Sequence, residues 1–147
     1  KWSNGTFLEC QDMFRENGIF RDVLLYEMPA TYLNDVYFRT KETSKGWNLD
    51  VNLAVAGETE GCCVEVEIYN SKNKLVAKKC ADASEDAIKF RNLDVISWNA
   101  EVPTLYTAFV TLYRGEEEVM SQRAYIGFKT VKIKKDIDGD IYGKNNG

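Results

Sequence analysis

Apolar and polar residues alternate along this chain in short runs. From Asn48 to Val55, Leu49, Val51, Leu53 and Val55 fall on one parity, with Asp50 and Asn52 on the other. From Val64 to Tyr69, Val64, Val66 and Ile68 alternate with Glu65 and Glu67. A period of two belongs to a strand with one face against a core. The same reading covers Asp35–Thr40, Leu75–Cys80, Ala87–Leu93 and Tyr106–Tyr113, where Ala108, Val110 and Leu112 point inward. A longer run, Val119–Ile133, predicts a strand bent or broken near Gly127. No segment sustains a 3.6-residue apolar stripe, and Ala81–Ala87 reads as a polar loop.

Turn residues separate the runs: Lys45-Gly46, Ala56-Gly57-Glu58, Asn70-Ser71-Lys72-Asn73 as a hairpin, and Arg114-Gly115-Glu116-Glu117. About seven short antiparallel strands at this spacing predict an all-β fold, an immunoglobulin-like β-sandwich. Tyr106 begins the penultimate strand just after Pro103. Two roles suit it: a tyrosine corner whose hydroxyl bonds back to nearby backbone, or simple burial of the ring.

The two ends differ from the middle. Ile19–Tyr26 reads as a strand with too few local partners to build a sheet, and Glu27-Met28-Pro29-Ala30 reads as a boundary. The expected organisation is residues 1–29 as the last piece of a preceding domain, 30–134 as the sandwich, and 135–147 as a polar, Gly-rich linker or frayed tail.

Composition narrows the chemistry. With 147 residues, 44% of them hydrophobic, the chain can bury a core, and its net charge of −4 is carried by interspersed acids and bases. Neither nucleic acid nor a membrane is the expected partner. The chain begins Lys1-Trp2-Ser3, without an initiator Met or signal-peptide features, so a fragment or processed product is expected. It contains no histidine, which excludes Ser-His-Asp and Cys-His catalysis and His-bearing zinc sites. Cys10, Cys62, Cys63 and Cys80 match no metal spacing and are expected as free thiols. With no signal sequence, they make a bacterial cytoplasm the expected compartment.

Candidate chemical groups are few. Glu65 and Glu67 lie on the polar side of one strand and Glu116, Glu117 and Glu118 in a turn, so a solvated face is preferred to paired-carboxylate chemistry. Asp136-Ile137-Asp138-Gly139-Asp140 resembles half a calcium loop, but glycine is fourth instead of sixth and Gly147 stands where a glutamate is needed. Trp2, Trp47 and Trp98 are too scattered for a sugar platform and are read as packing residues. Ser3, Ser84 and Ser97 have no base to activate them, and Lys132, Lys134 and Lys135 read as solvated. Asp12, within Leu8-Glu9-Cys10-Gln11-Asp12-Met13-Phe14-Arg15, is a polar group among apolar ones, for which a salt bridge to Arg15 or Arg21 is the alternative role.

Three segments carry a resemblance. Trp2-Ser3-Asn4-Gly5-Thr6-Phe7-Leu8-Glu9-Cys10-Gln11-Asp12-Met13-Phe14-Arg15, continuing into Gly18-Ile19-Phe20-Arg21-Asp22-Val23, is similar to the end of the sugar-binding jelly roll in family 2 glycoside hydrolases of the β-galactosidase type. Trp98-Asn99-Ala100-Glu101-Val102-Pro103-Thr104-Leu105-Tyr106 resembles the Trp-Ser-Ala-Glu-x-Pro-Asn-Leu-Tyr motif of that family's immunoglobulin-like domain, and Gly127-Phe128-Lys129-Thr130-Val131 the strand leading into its barrel. The order agrees over essentially the whole chain. Phe14 stands where the family usually has Trp, and Asn4 where it often has Asp.

The resemblance implies a non-catalytic spacer whose partners are the sugar-binding and barrel domains of the same polypeptide. The parent would act on β-galactosides with retention of configuration. Asp12 would contact the galactosyl group and a sodium ion in the intact enzyme, magnesium being a further candidate cofactor of the parent. The catalytic glutamates would lie in the barrel, so catalytic residues, cofactors and activity are expected to be lacking in this chain alone. Alternatives are a free-standing immunoglobulin- or fibronectin-like binding module, and a β-glucuronidase or β-mannosidase fragment.

Overall fold

The computed structural model describes residue 19, residues 21–135 and residues 141–145. Its elements in chain order are β1 (Tyr32–Thr43), β2 (Gly46–Ala56), β3 (Cys62–Tyr69), β4 (Leu75–Asp82), β5 (Ala87–Leu93), β6 (Tyr106–Arg114), β7 (Glu117–Ile126), β8 (Val131–Lys135) and β9 (Ile141–Asn145). The first seven form two antiparallel sheets, ordered β1-β2-β5 and β4-β3-β6-β7. This is the expected immunoglobulin-like sandwich, with β4 paired to β3. In constant-type immunoglobulin domains the corresponding fourth strand joins the other sheet.

The period-two pattern builds the core. Leu49 and Val51 of β2, Val64, Val66 and Ile68 of β3, and Ala108 and Leu112 of β6 have no exposed surface. Ile88 and Phe90 of β5 complete the opposite layer. Each large aliphatic side chain removed from water in this way contributes about 1.5–3 kcal/mol. One register step would send a whole row to solvent, so this pattern fixes the pairing.

Local turn chemistry closes the hairpins. The Asn70 side-chain oxygen accepts the backbone N–H groups of Lys72 and Lys74, both at 3.0 Å, while Asn73 takes the left-handed φ of 56° that asparagine tolerates. This is the hairpin expected at 70–73.

Val119–Ile133 breaks where expected. β7 ends at Ile126 and β8 begins at Val131, and between them Phe128 is buried completely. Its ring meets Trp47 and Tyr106 edge-on, with centroids 5.8 and 5.3 Å away. Tyr106 fills both roles considered for it. Its ring is buried, and its hydroxyl accepts the Ile96 N–H at 2.9 Å, which ties the β5–β6 crossing to the start of β6.

Two expectations are corrected. Residues 21–29 contain no strand: Val23, Leu24, Leu25, Tyr26 and Met28 are exposed and find no sheet edge, so an apolar run alone did not produce pairing. Residues 141–145, expected within a linker or frayed tail, form β9, which pairs antiparallel with β8 from Val131↔Asn145 to Lys135↔Ile141. A two-stranded ribbon needs backbone pairing more than a core-facing pattern, which is why composition did not reveal it.

Two substitutions test this packing. Phe128→Ala should lower the unfolding free energy by about 3–5 kcal/mol. Tyr106→Phe, which keeps the ring and deletes only the acceptor of the Ile96 N–H, should cost about 1–2 kcal/mol. Urea unfolding should show both as lower midpoints at unchanged slope; a Tyr106→Phe midpoint equal to the parent would reduce Tyr106 to ring burial.

Candidate functional site

The residue singled out for substrate and sodium, Asp12, lies outside the described residues, as do Trp2, Cys10 and Asp136–Asp140. The described part offers three clusters of polar side chains, each placed by the sandwich.

The first lies on the outer face of β3 and β4. Lys78 Nζ sits 2.8 Å from Glu65 Oε1 and 2.9 Å from Glu67 Oε1. Glu67 also accepts the Tyr69 hydroxyl at 3.2 Å. Hydrogen bonds donated to both carboxylates raise the Lys78 ammonium above its ordinary range, and partial desolvation with the Glu67 contact raises the Tyr69 phenol. The two glutamates share one cation on an open sheet face. A glycosidase pair instead needs one protonated acid and one free carboxylate flanking a sugar. The solvated-face reading is therefore right for Glu65 and Glu67.

The second cluster fixes the chain where it joins the sandwich. Arg114, at the end of β6, donates from Nη2 to Thr31 Oγ1 at 2.8 Å and to the Glu58 carbonyl at 3.3 Å, and from Nε to Cys62 Sγ at 3.5 Å. The contact with Cys62 is the main reason the guanidinium is shifted upward. Thr31 is itself buried and donates to the Glu58 carbonyl at 2.9 Å. Gly57, at φ 93°, lets the two backbones meet: a Cβ there would overlap the Ala30 carbonyl oxygen and stand 2.9 Å from Thr31 Cα. The sequence marked Gly57 as a turn but gave no sign of this crossing, since Arg114 and Thr31 are 83 residues apart.

The third lies at the opposite pole, around the motif Trp98–Tyr106. Trp98 N–H donates to the Phe128 carbonyl at 2.8 Å, Lys129 lies 5.1 Å over the Trp98 ring, and a Cβ on Gly127 would meet that ring at 3.3 Å. Trp47 is buried and Trp98 half-buried against this segment, so both are packing residues as expected. Asn99 caps the following turn, its side chain accepting the N–H groups of Glu101 and Val102. Cys62, Cys63 and Cys80 are free thiols. Among the described residues, no group of three or more histidines, cysteines, aspartates or glutamates is placed to hold a metal ion. No helix among them is long and apolar enough to cross a membrane.

With these clusters placed, comparison with known proteins decides the family. The model for "Glycosyl hydrolases family 2" matches residues 31–129, the whole two-sheet sandwich and the segment holding Phe128. The chain belongs to this family. Among curated relatives, a β-galactosidase from Lactobacillus delbrueckii subsp. bulgaricus is 31% identical over 147 residues, covering 97% of this chain and 14% of that protein. One from Clostridium acetobutylicum is 32% identical over 146 residues, covering 93% of this chain and 16% of its own length. The chain thus spans about one seventh of the family 2 relatives it matches. Among solved structures, a β-glucuronidase from Ruminococcus gnavus superposes with a TM-score of 0.60 at 19% identity, over 73% of this chain and 18% of that one. At that identity the likeness concerns the fold.

The clamp at Gly57 generates a prediction. Gly57→Ala should destabilise the chain by more than the roughly 1 kcal/mol of an ordinary backbone penalty, because a Cβ collides with Ala30 as well as sitting at positive φ. Gly61→Ala, where a Cβ meets nothing within 4 Å, isolates the backbone contribution. Equal losses for the two in thermal unfolding would show that the approach of residues 30 and 31 is not a constraint.

Proposed function

We propose that this chain is a non-catalytic spacer of a β-galactosidase-like member of family 2, holding a sugar-binding domain in place against a catalytic barrel. The observation that carries the reading is the family match over a sandwich whose outward acids are ion-paired or solvated. Exposed apolar side chains support it. Val23, Leu24, Leu25 and Tyr26 before the sandwich are each more than 70% exposed, and Ile96 and Val102 stand out at the other pole. Such surfaces fit contacts with further domains.

In this reading Asp12 would reach the sugar and a sodium ion in the intact enzyme, and a β-galactoside would be the substrate. Magnesium is a further candidate cofactor, and the bacterial cytoplasm the compartment. Arg114, Thr31 and Gly57 set the direction from which the Asp12 segment joins the sandwich. Stiffness is the property required of the domain, and close packing across two sheets supplies it.

Assays on the parent polypeptide with nitrophenyl galactoside, glucuronide and mannoside test the reading. Galactoside turnover should dominate, Asp12→Asn should reduce it by about tenfold to a hundredfold, and the 147-residue chain alone should turn over none of the three. Preference for glucuronide or mannoside would move the parent to another branch of the family. Activity of the isolated chain would end the spacer reading.

A further inference from the structure

The outer face of β3 and β4 holds a thiol pair that the spacer role leaves unused. In the β3–β4 register Cys63 lies opposite Asp82, and Glu65 opposite Cys80. Neither acid pairs straight across. Asp82 is turned to Ser84, accepting its N–H at 2.9 Å and its hydroxyl at 2.6 Å. Glu65 reaches along the diagonal to Lys78, two residues from its register partner, at 2.8 Å. The same diagonal step sets Cys63 beside Cys80, close enough that Cys80 helps push the Cys63 thiol up. Cys80 is exposed and Cys63 half-buried. Cys62, next in sequence, points into the core under Arg114 and takes no part.

We propose that Cys63 and Cys80 form a reversible disulfide on exposure to a low-molecular-weight disulfide. Cys80, the accessible thiol, loses its proton and attacks one sulfur of the small disulfide. Its S–S bond breaks, and the departing thiolate takes up a proton. Cys63 then attacks the Cys80 sulfur of the mixed disulfide and expels the second small thiol. The chain loses two protons and two electrons, which reduce the small disulfide to two thiols. Partial burial, followed by the contact with Cys80, pushes the Cys63 thiol up, so Cys63 suits the resolving step better than the first attack.

The geometry needs a small adjustment. Diagonal neighbours on antiparallel strands stand farther apart than a relaxed disulfide prefers. β4 can supply the movement, because it is an edge strand paired only to β3 and its residues are largely exposed. The product would staple that edge to the centre of its sheet.

The test treats the folded chain carrying Cys10→Ser, so that the thiol outside the described residues is silent, with oxidised glutathione. Intact-mass measurement should show the loss of two hydrogens. Peptide mapping should show a Cys63–Cys80 link that dithiothreitol reverses. With Cys63→Ser added, reaction should halt at one glutathione adduct on Cys80. A stable glutathione adduct on the chain that retains Cys63, or recovery of both thiols unreacted, would overturn the proposal. The mapped link is read without a Cys63 or Cys80 variant, so a folding defect in Cys63→Ser leaves the test intact.

Discussion

Phe128 is where the two sheets are joined by something other than their facing rows. It belongs to neither sheet, yet it has no exposed surface and is wedged between Trp47 of β2 and Tyr106 of β6. The rest of that pole is arranged around it. Its carbonyl accepts the Trp98 N–H, Tyr106 holds the backbone at Ile96, and Gly127 lies against the Trp98 ring, where a Cβ would come within a tight 3.3 Å. The crossing from β5 to β6 and the break between β7 and β8 are therefore one packed unit. A strand that continued straight past Ile126 would have left this pole of the core open.

The other pole solves a different problem with polar groups. There the chain arrives at Thr31 and must run beside the β2–β3 turn. Gly57 allows the backbones to touch, and Arg114 ties Thr31, Glu58 and Cys62 together. An arginine suits this place because its fork reaches several acceptors in one plane. One pole is thus fixed by aromatic packing and the other by a hydrogen-bonded clamp. For a domain whose proposed task is to hold two others at a fixed angle, constraints at both poles matter more than any one surface group.

The sequence revealed what depends on local periodicity. The inward rows of β2, β3 and β6 were legible because side chains alternate along a strand, and the turn at Asn70–Asn73 because asparagine offers its own acceptor. Tyr106 could be read for the same reason: its position after Pro103, at the head of a strand, is itself a local signal. What stayed hidden depends on distant partners. The grip of Arg114 on Thr31, the diagonal meeting of Cys63 and Cys80, and the sharing of Lys78 between two glutamates follow from register and twist, which no single run encodes. Ile19–Tyr26 failed in the opposite way. Its apolar run suits a strand, but described residues 21–29 pair with no sheet. Asp12, the one site residue drawn from resemblance, lies outside the described residues, so family membership and the chemistry of Asp12 rest on separate grounds.

An open sandwich has four edges, and their treatment agrees with a domain embedded among others. Along the β4–β5 side, Lys79 points toward the interior between the sheets, yet its ammonium passes over the Phe90 ring and bonds the Lys89 carbonyl at 2.7 Å. Its aliphatic stem covers the core while its charge stays wet. An inward-pointing charge on an edge strand also discourages another strand from adding there. The β1 edge carries alternating Arg39 and Lys41, and Arg39 lies opposite Asp50, which Arg91 binds from β5. Charge is therefore spent on sides that would otherwise invite strand addition. Tyr37, Leu75 and Tyr125 are exposed on the edge strands, but the densest exposed apolar run, 23–26, lies in the segment before β1, and Ile96 and Val102 lie in the β5–β6 crossing. In the proposed role those two connecting segments are where the sandwich would meet other domains, while the charges on β1 and at Lys79 discourage strand addition.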